Sequence, residues 1–136
     1  MRISLDSNVL VAAVATRGLS YDVVRIVLAR HELVLGGVVL AEVERVLREK
    51  LNVPADAARA YVALLRSEAT VVAEAPALGI EVRDPDDVAV LEEAVAGEAA
   101  VLVTGDHDLL AVASEVPLRI LTPRQFWELL REAGEA

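Results

Sequence analysis

Residues 2–13, RISLDSNVLVAA, join two apolar runs through one acidic residue, Asp6. The first run is short and predicts a strand, whereas the second is long enough to begin a helix. Asp is a favoured N-cap residue, and such a cap stabilises a helix by about 1 kcal/mol. Asp6 is therefore either a helix cap or a ligand placed at the end of a strand. Ser7 and Asn8 follow it directly and have the chemistry to form the turn in its place.

The length and composition indicate one soluble domain. A chain of 136 residues has the usual size of a single domain, which we expect to span residues 1–136. We expect a frayed tail over about the last eight residues, where turn and helix-end signals run out. No apolar stretch approaches the roughly 18 residues that cross a bilayer, and the first apolar run is too short for a signal peptide. We therefore expect a cytoplasmic protein that does not associate with membranes.

The side chains available to bind a metal are mainly oxygen donors. The chain has no cysteine, which excludes disulfides, thiolate zinc sites and cysteine nucleophiles. His31 and His107 are far apart in the sequence and form no paired-histidine motif. The net charge of −9 argues against a broad nucleic-acid footprint. It suits a hard divalent cation, because carboxylates are the ligands that Mg²⁺ and Mn²⁺ select.

Strand-like and helix-like runs alternate along the chain. Ser20 is expected to cap the second helix, and residues 75–83 predict a loop or a short edge strand. The large apolar residues of FWELL, 126–130, are expected in the core rather than in a dimer face. The predicted strands are 3–5, 32–37, 70–74, 99–105 and 117–122, and the predicted helices are 8–15, 20–31, 38–51, 53–69, 84–97, 106–114 and 123–134.

This alternation predicts an α/β fold with a central, mostly parallel β-sheet flanked by helices. In open sheets of this kind, ligands bind beyond the carboxyl ends of the strands. The acids that follow strands, and those in the first turns of helices, are therefore the candidates for a functional site.

Two glutamates border the apolar stripe of the third predicted helix. Glu42 lies at one margin, next to Val39 and Val46, and Glu44 lies at the other, beside Leu40. Periodicity alone does not distinguish the two glutamates, and a solvent-exposed flank is the ordinary role of either.

The acidic segment DPDD, 84–87, opens the fifth predicted helix. Asp84 suits an N-cap and Pro85 suits the first helical position. Asp87 lies on the same helix face as Leu91 and extends an apolar stripe with a carboxylate. A cap does not require that placement, so Asp87 is a candidate for more than a structural role.

Another acidic segment, TGDHD at 104–108, follows the most strand-like run of the chain. Asp106 and Asp108 suit a cap after a glycine turn, and Thr104 is expected where the sheet meets solvent. Four separate segments thus direct acids to one edge of the sheet. Carboxylates that converge repel one another unless a cation neutralises them, so convergence implies bound Mg²⁺ or Mn²⁺.

Four segments carry these acids in a fixed order. They are ISLDSNVLV at 3–11, LAEVERVL at 40–47, DPDDVAVLEEA at 84–94 and LVTGDHDLL at 102–110. Together they resemble PIN-domain ribonucleases of the kind found as VapC-like toxins in prokaryotic toxin–antitoxin pairs. The resemblance extends from residue 3 to about residue 127. It implies the three-layer PIN-like fold and selects Glu42 over Glu44.

The resemblance also implies a site. The implied catalytic and metal-binding residues are Asp6, Glu42, Asp87 and Asp106. The implied neighbours are Asp84 and Asp108 as further acids, with Ser7, Asn8 and Thr104 as polar residues that support the ligands. One position departs from the family, because the serine that commonly precedes the helix acid is Gly37 here.

The implied activity is Mg²⁺- or Mn²⁺-dependent hydrolysis of RNA phosphodiester bonds by an endoribonuclease. The implied partners are the RNA substrate and an antitoxin protein, and a homodimer is also expected. Two bound dications change the formal charge from −9 to about −5 and make the cleft attractive to phosphate. Arg17, in the loop after the first helix, is the candidate contact to the RNA backbone.

Two other functions fit parts of the sequence. A Mg²⁺-dependent phosphotransfer domain also uses an Asp at a strand end. However, dehalogenase-like phosphatases need a second Asp where Asn8 stands, and receiver domains need a lysine after the last strand, where Lys50 does not lie. A covalent phosphoryl or beryllofluoride adduct on an Asp would identify such a domain. The other alternative is a non-catalytic PIN-fold module that binds RNA or protein, and the complete set of acids argues against it.

Overall fold

Five strands, all parallel, form one sheet that seven helices flank. The structure is a computed structural model that describes residues 1–136. The strands are β1 (Arg2–Leu5), β2 (Glu32–Gly36), β3 (Thr70–Val72), β4 (Val101–Val103) and β5 (Arg119–Leu121). The helices are α1 (Ser7–Ala15), α2 (Leu19–Arg30), α3 (Gly37–Glu49), α4 (Ala55–Glu68), α5 (Pro85–Ala96), α6 (His107–Leu110) and α7 (Pro123–Glu132).

The sheet has the strand order β3-β2-β1-β4-β5, which places β1 and β4 side by side at its centre. Leu5 pairs with Val103, so these two strands end at the same level, and the Asp6 N–H donates to the Val103 carbonyl at 2.9 Å. The strands that follow β1, namely β2 and β3, extend the sheet toward one edge, and β5, which follows β4, extends it toward the opposite edge. Ligands of open α/β sheets bind at such a switch point.

The central strands are covered on both faces. Leu33, Val34 and Leu35 are each at most 1 % exposed, and successive strand residues point to opposite faces. Apolar helices must therefore cover both sides of the sheet, as is usual for parallel sheets. The predicted α/β class is confirmed, and the sheet is entirely rather than mostly parallel. Its order also differs from the 2-1-3-4-5 order of receiver domains.

Helix starts agree with the sequence where the signal is local. Asp84 caps α5 by accepting the Asp86 N–H at 3.0 Å, and Pro85 occupies the first turn as predicted. The prediction for Ser20 is wrong: α2 begins at Leu19 with Gly18 at the cap position, and no side chain caps it. Leu19 packs against the core, which places the cap two residues closer to the N-terminus than predicted.

The C-terminal helix contributes to the core. Phe126 and Leu130 are fully buried, as expected for FWELL. The expected frayed tail differs from the structure at its first residues, because α7 continues to Glu132 and the Glu135 N–H donates to the Leu130 carbonyl. Burial of Leu130 anchors this turn. None of the helices combines the length and the apolar character needed to cross a bilayer.

Candidate metal centre

Asp6 stands immediately after β1 and is 4 % exposed. Its Oδ1 accepts the Ser7 N–H at 2.8 Å, and its Oδ2 accepts the Thr104 hydroxyl at 2.7 Å and the Asn8 side-chain amide at 3.2 Å. Asp6 itself is therefore the cap of α1. The expectation that Ser7 and Asn8 would replace it in the turn is wrong, because both residues donate to its carboxylate instead.

The environment of Asp6 raises the pKa of its carboxyl group. Burial away from water is the main cause, since desolvation disfavours the charged form. The hydrogen bonds from Thr104 and Ser7 lower the pKa, and the charges of Glu42 and Asp106 raise it further. Each carboxylate oxygen has two lone-pair sites, so these hydrogen bonds leave acceptor capacity for a cation.

Thr104 joins the ends of the two central strands. Its hydroxyl donates to Asp6 at 2.7 Å and accepts the Asp106 N–H at 3.0 Å. The side chain is fully buried, whereas the sequence led us to expect it at the edge where the sheet meets solvent. Both hydrogen bonds of the hydroxyl are made within the protein, so the side chain does not need contact with solvent. The Gly105 N–H, which donates to Asn8 at 3.4 Å, adds a second link between the same segments.

Three carboxylates approach one another beside this link. One oxygen of each of Asp87, Asp106 and Asp108 lies within 4.8 Å of the others. The pKa of Asp87 is raised to about 7, mainly by desolvation and then by the charges of Asp106, Asp84 and Asp6. A carboxyl group so perturbed marks a place where negative charge is concentrated without a compensating side chain.

The two glutamates of α3 have different surroundings. Glu42 lines the same cleft as Asp6 and lies 3.5 Å from Arg45. Glu44 does not line this cleft and pairs with Arg48 at 3.6 Å along the helix surface. The structure thus separates two residues that periodicity left equivalent.

A glutamate from another helix caps the start of α3. Gly36 and Gly37 provide no side-chain cap, and the Glu93 carboxylate accepts the N–H groups of Val38 at 2.9 Å and Val39 at 3.4 Å. A Cβ on Gly36 would displace the Glu93 side chain from this position, so the contact depends on the glycine. This contact couples α3 to α5, the helices that carry Glu42 and Asp87. The contact was not predicted, although a Gly-Gly helix start without a cap residue is a usable signal.

One cleft unites the four acids that the family resemblance selected. Its volume is about 310 Å³, and Asp6, Glu42, Asp87 and Asp106 all line it. Water occupies roughly 30 Å³ per molecule in the liquid, so the cleft has room for a hydrated ion. Lys50, which the sequence analysis used only to argue against a receiver domain, lines it as well.

Other predicted residues lie outside this cleft. Asp84 is exposed and serves as the cap of α5, while Asp108 contributes only to the three-carboxylate group. The Arg17 guanidinium lies 5.5 Å from the centre of the Tyr21 ring and does not line the cleft. The role of Arg17 in RNA binding stays a prediction.

The donor chemistry of the site fits a hard divalent cation. Neither histidine lines the cleft, there is no cysteine, and converging carboxylate oxygens are the ligands of Mg²⁺ and Mn²⁺. Desolvation is the main cause of the raised pKa of Asp87, and the charges of Asp106, Asp84 and Asp6 raise it further; a bound dication would offset this like-charge repulsion. The residues present therefore fit such an ion.

We expect Asp87→Asn to raise the Tm of the metal-free protein at about pH 8, with a gain that disappears at about pH 4. The ordinary pKa is 3.8 and the folded value is about 7, so the folded state holds a proton that the unfolded chain releases. Stability of the wild type therefore falls as the pH rises through this window. Thermal melts in EDTA measure the effect. An equal or lower Tm for the variant at the higher pH would contradict the assigned charge concentration.

A family model described as the PIN domain matches residues 2–108 of the chain. Comparison with curated protein sequences gave no match. The fold is similar to a chain in the crystal structure of VapBC2 from Rickettsia felis bound to a DNA fragment from the VapBC2 promoter, with a TM-score of 0.62. The two chains are 18 % identical, and the match covers 89 % of this chain and 97 % of that chain. The fold is also similar to VapBC-1 from nontypeable Haemophilus influenzae, with a TM-score of 0.64 and 16 % identity over 91 % and 99 % of the two chains. At such identities the likeness concerns the fold.

Proposed function

This chain belongs to the PIN-domain family, and on that premise we propose that it is a metal-dependent endoribonuclease. The observation that carries the proposal is the convergence of Asp6, Glu42, Asp87 and Asp106 in one cleft. These acids come from four separate segments, and each would be adequately explained as a cap or a solvated flank if it stood alone. Their common position in one cleft, which Asp6 and Asp106 place beside the ends of β1 and β4, is not required by any of those local roles.

The proposed ligands of Mg²⁺ or Mn²⁺ are Asp6, Glu42, Asp87 and Asp106, with Asp108 at the margin. When bound, a divalent ion activates water and offsets the charge that develops on a phosphate during hydrolysis. The Thr104 hydroxyl links the Asp6 carboxylate to the backbone N–H of Asp106, and so joins the segments that carry these two acids. Because a bound cation favours the charged form of a carboxylate, Asp87 would release its proton as the ion binds.

The acidic surface is compatible with an RNA substrate under this proposal. The net charge is −9, and the clustered acids alone repel phosphate. Bound cations are the largest local charges in such a site and reverse its potential. RNA binding should therefore strengthen when divalent ions are present.

Glu42→Gln and Glu44→Gln form a matched pair that tests the assignment. Both replacements remove one charge from α3, but only Glu42 lines the acidic cleft. We expect Glu42→Gln to lower Mn²⁺-dependent cleavage of single-stranded RNA by about 100-fold, since removal of a single electrostatic contributor typically costs that much. Glu44→Gln should cleave within about twofold of the wild type, as surface changes away from a site usually do.

The same assay decides between the candidate functions. Cleavage by the wild type must stop in EDTA and return with Mg²⁺ or Mn²⁺. Equal loss in both glutamate variants would point to general destabilisation, which melting curves reveal. RNA binding without cleavage by the folded wild type would support the non-catalytic module instead. Covalent labelling of an Asp by acyl phosphate would support phosphotransfer.

We also propose that the protein is the toxin of a toxin–antitoxin pair and acts with an antitoxin protein. The support is the similarity of the fold to VapBC complexes. A small upstream gene that encodes a DNA-binding domain, and whose product relieves growth inhibition by this chain, is the expected finding. A homodimer is proposed on the same resemblance, and light scattering of the purified protein measures it.

A further inference from the structure

Lys50 is the only lysine of the chain and lies in the acidic cleft. It follows the last residue of α3, and its N–H donates to the Val46 carbonyl at 2.9 Å. Glu42, Val46 and Lys50 are spaced by four residues, which places them along one face of the helix. The cleft therefore runs along α3 from the carboxylates at one end to a cation at the other.

The spacing separates the two ends of the cleft. Eight residues of helix rise about 12 Å between the Cα atoms of Glu42 and Lys50. Val11 and Ala12 of α1 line the cleft together with Val46, so its middle is apolar. Helical side chains incline toward the N-terminus of their helix, and the Lys50 stem is thus inclined toward the carboxylates.

The charge of Lys50 is free to bind a ligand. No carboxylate lies within 4.0 Å of its ammonium group, whereas Arg45 and Arg48 on the same helix are paired with glutamates. Lys50 is also the only basic residue that lines the cleft. A cation without a partner, next to a group of acids that it does not neutralise, suggests a ligand that carries its own negative charge.

We propose that Lys50 binds a phosphate of the RNA backbone adjacent to the phosphate at the carboxylates. The inference rests on the proposed function, because it assumes that RNA lies in this cleft. A single lysine acts as a hydrated point charge, which positions a nucleic-acid backbone without selecting bases. Lys50 therefore sets the direction of the strand along α3 and contributes mainly to substrate affinity.

The alternative role of Lys50 is structural, because basic residues near a helix C-terminus stabilise the helix dipole. Lys50→Gln removes both the phosphate contact and this interaction, while Lys50→Arg retains the positive charge and with it both interactions. Arg48→Gln is the matched control, since it removes one positive charge from the same turn of α3 but outside the cleft. Arg17→Gln tests the residue that the sequence favoured.

The experiment measures binding of a fluorescein-labelled single-stranded oligoribonucleotide to each full-length variant. Titrations in Ca²⁺ at several salt concentrations give the Kd and its salt dependence, and gels verify that the RNA stays intact. We expect Lys50→Gln to raise the Kd about fivefold and to reduce the salt slope by about 0.7, the value for one phosphate contact to a single strand. Lys50→Arg should bind like the wild type, and Arg48→Gln should keep the wild-type slope.

Cleavage kinetics provide a second measurement. In Mn²⁺, Lys50→Gln should raise KM while kcat stays within about twofold, because the lost contact is to bound substrate and not to the reacting phosphate. A lower kcat with unchanged Kd would overturn the inference. Equal effects of Lys50→Gln and Arg48→Gln on RNA binding would also overturn it, because they would indicate a long-range effect of charge and not a direct contact.

The outcomes separate this inference from the proposed function. Suppose that the wild type cleaves RNA only with metal and that Lys50→Gln binds and cleaves RNA as well as the wild type does. The inference then fails and the nuclease assignment stands. If no cleavage occurs but Lys50→Gln still weakens RNA binding and reduces the slope, the Lys50 contact stands and the nuclease assignment fails. Melting curves of every variant detect a purely structural effect.

Discussion

Asp6→Asn should lower metal-dependent RNA cleavage by about 100-fold or more, at the upper end of what is lost when a metal site is disturbed. Asparagine keeps the shape of the side chain, and its Oδ1 can still accept the Ser7 N–H that caps α1. The Thr104 hydroxyl can reorient to accept from the new amide, since its hydrogen rotates. The Asn8 side-chain amide loses the acceptor that Asp6 Oδ2 gave it. The variant therefore loses a charged ligand and this contact, while the Ser7 N–H keeps its acceptor.

The control for Asp6→Asn is Asp22→Asn, which removes an aspartate from α2 outside the cleft. Both variants are assayed with the same RNA in Mn²⁺, and thermal melts establish that each is folded. Burial raises the pKa of Asp6, so its neutral replacement should not destabilise the metal-free protein. Undiminished cleavage by a folded Asp6→Asn protein would remove Asp6 from the mechanism.

Thr104→Val should reduce cleavage by about 10- to 100-fold, the loss typical when a group that orients metal ligands is removed. Valine has nearly the same shape but no hydroxyl, so the Asp6 carboxylate loses a donor and the Asp106 N–H loses an acceptor. Both groups lie in a site that excludes much of the solvent. We expect a loss of about 1–3 kcal/mol in the free energy of unfolding.

Thr104→Ser provides the comparison, because it retains the hydroxyl and loses one buried methyl group. Its cleavage rate should remain close to that of the wild type, and urea titrations should show a smaller loss of stability. If the valine variant cleaves like the serine variant, the hydroxyl does not position the Asp6 carboxylate or the backbone of Asp106 for the reaction. If Thr104→Val differs from Thr104→Ser in KM rather than in kcat, that result would also argue against a positioning role.

Most of the fold was predictable because its signals are local. The Asp84–Pro85 start of α5 depends only on neighbouring backbone groups and is present as predicted. The alternation of strands and helices follows from periodicity in the same way. The failure at Ser20 has a tertiary cause, since packing of Leu19 decided where α2 begins.

The site was predictable in its residue types but not in its connections. Periodicity left Glu42 and Glu44 equivalent, and the family resemblance selected the one that the structure places in the cleft. The burial of Thr104 and the cap that Glu93 gives to α3 had no local signal. Lys50 is notable in the sequence only as the single lysine, and no local pattern predicted its place in the cleft.

What the sequence alone determined was the order of strands and helices, the oxygen-donor character of any metal site and a set of acids near strand ends. The tertiary structure decided which of these acids meet and what holds them. The Thr104 hydroxyl reaches Asp6 across 98 positions of sequence, and it does so because β1 and β4 pair at the centre of the sheet. Such a contact depends on which strands lie side by side, and that order is a tertiary property that no local sequence pattern encodes.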